Sequence, residues 1–200
     1  MPYGEVLGLL QQGEESALSF LMKEFYNDMY NYAYKFGKDD ALVKDAIQEV
    51  FIDLWQRRQN ADKILSIRFY LLKAIKNTIL KSIEKRKRFL NEPQAEPASF
   101  ETVFDVEKII IERQVSEEQA ARLRTLLEQL SARQREVIYL TFYQQLTADE
   151  VAQLMNINRQ SVYNLLHESL QKLRIYWKQQ PFHAGANAAC SLLAMIIAHK

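Results

Sequence analysis

Residues 147–174 read TADEVAQLMNINRQSVYNLLHESLQKLR. Thr147 with Glu150 three positions later has the spacing of a capping box: the hydroxyl takes one orphan amide and the carboxylate reaches back to another. A short apolar run follows, with Val151, Ala152 and Leu154. Asn156-Ile157-Asn158 reads as a turn, because asparagine tolerates the left-handed conformation. A second helix then carries Val162, Leu166, Leu170 and Leu173 at helical spacing on its buried face. Ala152 is small where two helices would cross closely. This is the plan of a helix–turn–helix, whose second helix can lie in the DNA major groove. An ordinary helical hairpin with a polar outer face shares the apolar pattern, so the polar residues decide. Arg159, Gln160, Ser161, Tyr163, Asn164 and His167 cluster toward the helix start. Arginine pairs bidentately with guanine, asparagine and glutamine with adenine, and serine with base or phosphate. Lys172 and Arg174 lie farther along and suit phosphate. His167 taken alone reads as a solvated surface histidine.

Working toward the N-terminus, Ser116–Gln119 and Ser131–Gln134 repeat the capping-box spacing. Three helix starts so close together predict short helices joined by tight turns, the last ending near Gln180 before Pro181. Residues 91–105, NEPQAEPASFETVFD, are acidic and hold Pro93 and Pro97. They break helical periodicity and read as a linker.

Upstream of that break the periodicity is helical almost throughout. Val43, Ile47, Val50 and Leu54 form one stripe, widened by Ala46, Phe51 and Trp55. Phe69, Leu72, Ile75, Ile79, Leu80 and Ile83 form a second, and Leu18, Leu21, Phe25, Met29, Tyr32 and Phe36 a third. No sustained period-two alternation occurs, so a sheet is not expected. The pattern predicts an all-α chain of two small helical domains joined by a flexible linker. The segments are a bundle over 1–90, a linker over 91–115, a winged-helix-like helix–turn–helix domain over 116–180 and an apolar tail over 181–200.

The 200 residues include only 5 Gly and 4 Pro, too few for a turn-rich sandwich or barrel. A lone Cys190 excludes a disulfide framework, and the only histidines, His167, His183 and His199, have no metal-site spacing. No glycine-rich nucleotide loop is present. No enzyme, no cofactor and no metal is therefore expected. No opening signal pattern and no run of about 18–20 apolar residues is seen, so the expected location is cytoplasmic.

The formal net charge is +1, which as a total argues against a nucleic-acid partner. Resolved by segment it does not. Residues 1–62 hold 6 basic and 11 acidic side chains, 63–88 hold 9 and 1, 89–130 hold 4 and 9, and 131–180 hold 6 and 4. A strongly basic block lies between two acidic ones, a hint of polyanion contact at one place. A solvated basic helix end is the blander reading of the same run.

Three stretches in order resemble the extracytoplasmic-function (ECF) group of bacterial RNA polymerase sigma factors. DAIQEVFIDLW (45–55) is similar to the family's D-x-x-Q-E-x-F-x-x-x-W pattern. FYLLKAIKNTILKSIEKRKR (69–88) resembles its Y-L-x-x-I-A-x-N segment and basic helix end, with Ile75-Lys76-Asn77 where the family commonly has Ala-Arg-Asn. LSARQREVIYLTFYQQLTADEVAQLMNINRQSVYNLLHESLQKLR (130–174) resembles its fourth region.

The resemblance implies partners and roles. Asp45, Gln48, Glu49, Phe51 and Trp55 would bind core RNA polymerase, although Phe51 reads at least as well as core. Ser66, Ile67, Arg68 and Phe69 would form the capture loop for the promoter −10 element. Asn77 would hydrogen-bond there, and Arg68, Lys73, Lys76, Lys81, Lys85, Arg86, Lys87 and Arg88 would track phosphates. Arg159, Gln160, Ser161, Tyr163, Asn164, His167, Lys172 and Arg174 would read the −35 element. The acidic linker would thread a basic channel, and an anti-sigma factor is an implied partner. A transcription regulator of the receiver-domain type shares the helix–turn–helix but needs a strand–helix alternation that the first half lacks.

Overall fold

The computed structural model describes residues 2–89, 100 and 124–179. Among the described residues there is no strand. The chain divides into two units, residues 1–99 and 100–200. The Ser116–Gln119 box, the tail 181–200 with Cys190, and the linker apart from Phe100 lie outside the described residues.

The first unit is a helical bundle: α1 (Tyr3–Gln11), α2 (Glu15–Gly37), α3 (Asp40–Gln56), a 3-10 helix (Arg58–Lys63) and α4 (Ile67–Phe89). The stripes seen in the sequence form its core. Leu21, Phe25, Met29 and Tyr32 on α2, Val43, Ile47, Val50 and Leu54 on α3, and Leu72, Ile75 and Ile79 on α4 are all at most 4% exposed. Spacings of three and four place these residues on one face of each helix, and α2, α3 and α4 pack those faces together. Gly37 permits the closest approach: a Cβ there would stand 3.1 Å from Ile83 Cδ1. Gly13, at φ 88, lets α1 fold back against α2. Asp39 caps α3 by accepting from the Leu42 amide at 3.0 Å.

The second unit places α5 (Ala132–Ile138), a π-helical turn (Tyr139–Tyr143), α6 (Ala148–Met155) and α7 (Arg159–Gln179) in series. The two predicted capping boxes among the described residues form. Ser131 accepts from Gln134 N at 3.3 Å while Gln134 Oε1 takes Ser131 N at 3.2 Å, and Thr147 and Glu150 do the same. Phe100, from the stretch read as linker, is buried against Tyr139, with ring centroids 5.8 Å apart. In the π turn the Tyr139 and Tyr143 rings stack at 5.1 Å, and Gln144 donates to the Tyr139 hydroxyl at 2.9 Å.

The helix–turn–helix turn is the one read from the sequence. Asn156 sits at φ 53, ψ 51, left-handed, and ends α6. Asn158 Oδ1 accepts from Ser161 N at 2.7 Å and caps α7. Alanine at 156 must adopt a conformation that costs about 1 kcal/mol more for a β-carbon without a local polar group. We expect Asn156→Ala to lower unfolding free energy by about that amount and Asn156→Gly to be nearly neutral, measured by urea titration.

Candidate functional site

Three surfaces carry the predicted residues. On α3, Asp45, Gln48 and Glu49 are exposed and Trp55 is half-buried. These positions follow helical spacing on the side away from Val43, Ile47 and Val50. Phe51 does not belong with them: at 2% exposure it is core, because its position in the repeat falls on the inward edge of the stripe. Ile52, missed in the sequence, is 57% exposed beside Gln48 and Glu49. An isoleucine outside the α3 stripe was the available signal.

The second surface is α4 and the chain leading into it. The stretch read as a capture loop, Ser66–Phe69, is a helix start and not a loop. Ser66 Oγ accepts from Phe69 N at 3.3 Å, so Ser66 is a helix cap and Ile67–Phe69 is the first turn of α4. Ile67 is 3% exposed and part of the core, so it cannot touch a base. The chain before it runs from the 3-10 helix to Leu65, which is fully exposed at 102%. Lys73, Asn77, Lys81 and Lys85 are exposed and lie four residues apart, which aligns them along one ridge of α4. Lys73 Nζ sits 5.2 Å from the Phe69 ring centroid, and Lys76, half-buried, 5.4 Å from that of Phe36.

Much of the remaining positive charge is met within the unit. Arg68 is half-buried, pairs with Asp28 and lies 5.3 Å over the Phe25 ring. Arg86 pairs with Asp39 and Arg88 with Glu84. The expectation that these arginines stand ready for phosphate is thus modified, since each would have to exchange a carboxylate for it. Tyr26, Tyr30 and Tyr34 stack along α2, and the Tyr30 hydroxyl donates to Asp40 at 2.7 Å, pushing the phenol up to about 12.

The Asp39 carboxyl is held below the usual carboxylate range, first by the Leu42 amide and then by Arg86. A carboxyl lowered in the folded state stabilises above its unfolded pKa, and that contribution is lost as pH falls through the folded value. Asparagine keeps the cap but not the charge. Asp39→Asn is therefore expected to be less stable than the parent near neutral pH, with the difference vanishing as the pH falls through the lowered folded value, in thermal unfolding across pH.

The third surface is α7. Arg159, Gln160, Tyr163, Asn164, His167 and Arg174 are exposed and Ser161 is half-exposed. Arg159 is pre-oriented: its guanidinium donates to the Tyr163 hydroxyl at 3.1 and 3.3 Å and pairs with Asp149 of α6 at 3.2 Å. Gln160 Nε2 donates to Asn164 Oδ1 at 3.0 Å. Lys172 is exposed but donates to Gln134 Oε1 at 3.2 Å, where it supports the α5 cap. Buried Ser169 satisfies its hydroxyl within the helix, donating from Oγ to Leu165 O one turn back at 2.6 Å.

Among the described residues no helix is long and apolar enough to cross a membrane. Comparison with known proteins agrees with this arrangement. Residues 21–89 match the sigma-70 region 2 family and residues 120–173 match sigma-70 region 4. The ECF RNA polymerase sigma factor SigX of Bacillus subtilis (strain 168) is 24% identical over 164 residues, which cover 80% of this chain and 83% of that protein. Two solved structures share the fold at a TM-score of 0.54 each. CnrH, bound to the cytosolic domain of CnrY, is 18% identical, with 89% of this chain and 98% of that one covered. RpoE of Bartonella quintana, bound to the anti-sigma factor NepR, is 13% identical, with 82% and 98% covered. With regions 2 and 4 in order on one short helical chain, the protein belongs to the sigma-70 family as an ECF-type sigma factor, a promoter-recognising subunit that works with core RNA polymerase in transcription initiation.

Proposed function

We propose a division of labour among the three surfaces. The α3 face of Asp45, Gln48, Glu49, Ile52 and Trp55 docks on a basic element of core polymerase. An apolar centre flanked by carboxylates suits such a partner. The loop ending at Leu65 and the α4 ridge of Lys73, Asn77, Lys81 and Lys85 hold the displaced strand of the −10 element. A cationic track beside apolar surface is what an unstacked strand requires. Arg159, Gln160, Ser161 and Asn164 read the −35 duplex. The observation that carries this reading is that one bundle presents an acidic face on α3 and a cationic ridge on α4, while α7 exposes its donors at its start.

The protein acts without catalysis of its own, in the cytoplasm, where polymerase and promoter are. An anti-sigma factor is a fitting partner, since RpoE of Bartonella quintana has the same fold and was solved with one. The domain limits 1–90 and 116–180 follow the same division.

Site-specific photocrosslinking in a promoter complex tests the assignment. A crosslinker at 65 is expected to label the non-template strand at −10, and one at 164 the duplex at −35. The reverse pattern, or no DNA adduct from either site, would overturn it.

A further inference from the structure

The loop that ends at Leu65 is held from behind. Arg58, the first residue of the 3-10 helix, lays its guanidinium 4.6 Å over the Trp55 ring and donates from NH1 to Trp55 O at 3.0 Å. Its Nε is buried and without a hydrogen-bond partner. The α1–α2 turn lies beside the same atom, for a Cβ at Gly13 would be in ordinary contact with Arg58 Nε at 3.7 Å. One residue on, Gln11 at the end of α1 donates from Nε2 to Gln59 O at 3.0 Å. Ala61 is buried at 1%, so the 3-10 helix is anchored along its length before the chain reaches exposed Leu65. A short 3-10 helix has poor internal hydrogen bonding and depends on such outside supports.

We propose that Arg58 is a positioning residue for promoter recognition, acting with Gln11 as a clasp that fixes the loop and thereby its base preference. This rests on the reading of that loop as the −10 contact. The clasp acts through geometry, not charge. An arginine over a tryptophan ring and bonded to that residue's carbonyl is a fork held at two points, which lysine does not reproduce. With Nε buried and NH1 on Trp55 O, two of the three guanidinium nitrogens are turned away from any phosphate.

The test uses the full-length protein in preformed holoenzyme at saturating core, with open-complex formation measured on a promoter and on −10 single-base variants. Gln11→Ala leaves the α3 face untouched and is expected to lower −10 discrimination about threefold, the loss of one modest hydrogen bond. Arg58→Met keeps the apolar stem and is expected to lower it about tenfold, and Arg58→Lys to behave like Arg58→Met. The salt dependence of binding should not change in any of them, because no phosphate contact is lost.

Leu65→Ser reports on the loop itself and should also alter −10 preference. If Leu65→Ser changes that preference while Gln11→Ala and Arg58→Met do not, the loop reads DNA and the clasp is refuted. If Leu65→Ser also has no effect, the assignment of the loop fails and the clasp with it. A full return to parental discrimination in Arg58→Lys, or a salt slope reduced by about one phosphate in Arg58→Met, makes charge the operative property and overturns positioning. Thermal unfolding of each variant shows whether the bundle is intact, and Gln11→Ala, a surface change, keeps the test open should Arg58→Met unfold.

Discussion

Alanine at Asp45, Gln48 and Glu49 together is expected to weaken binding to core RNA polymerase by about a hundredfold, as measured by fluorescence titration. All three side chains are exposed on α3, and the residues that hold α3 in the bundle are others: Val43, Ala46, Ile47, Val50 and Leu54. The change should therefore move the unfolding free energy by no more than about 0.5 kcal/mol. The three positions are helical neighbours, so their single effects should not simply add. Phe51→Ala is the instructive contrast. It removes a ring that is 2% exposed, and should cost about 3–5 kcal/mol of stability. Any polymerase binding it loses would come from unfolding. Ile52→Asp should resemble the triple variant and not Phe51→Ala, because Ile52 is exposed and outside the core. Unchanged affinity in a folded triple variant would remove the polymerase assignment from this face.

The second large effect belongs to α7. Arg159→Ala and Asn164→Ala are each expected to cost about 1–3 kcal/mol at the cognate −35 sequence and little at unrelated sequences. Their side chains already form pairs, Arg159 with Asp149 and Tyr163 and Asn164 with Gln160. Such pairing reduces the side-chain entropy to be lost on binding. Releasing Arg159 through Asp149→Ala should therefore weaken cognate binding too, although Asp149 is acidic and its removal makes the surface more positive. Arg174→Ala should act differently, weakening all sequences alike and reducing the salt slope by about one. Competition binding to a set of −35 variants separates the cases. Unaltered sequence preference in Arg159→Ala and Asn164→Ala would show that another surface reads the duplex.

Local rules made the second unit legible. Thr147 with Glu150, Ser131 with Gln134, and Asn156 each act through atoms within a few residues, and each does so as the spacing predicts. The apolar stripes likewise gave the core of α2, α3 and α4, because burial follows helical period. What was misread depends on contacts between distant residues or on fine angular position. Phe51 and Ile52 are adjacent: the stripe rightly includes Phe51 as core, which the resemblance also set on the polymerase face, while Ile52, one position outside the stripe, is exposed. Ser66 was assigned to a capture loop through the resemblance, although a serine before an apolar helical run is a cap signal.

The ion pairs Arg68–Asp28 and Arg86–Asp39 join residues 40 and 47 positions apart, which no local pattern reveals. They also temper the charge argument, since the +8 segment includes arginines already matched to acids of the acidic segment before it. The 3-10 helix RQNADK shows no apolar period, because only Ala61 of it is buried. Nothing in YLTFY announces the π turn, within which Tyr139 and Leu140 are buried.

Run-off transcription reconstituted from purified core polymerase and this chain is the most direct test of the central claim. A library of promoter fragments provides the template. The account predicts that the holoenzyme initiates only where −10 and −35 elements are suitably spaced, that core alone does not, and that the Asp45/Gln48/Glu49 triple alanine variant restores little of the signal. Transcription no different from that of core alone, or initiation without regard to promoter sequence, would contradict it.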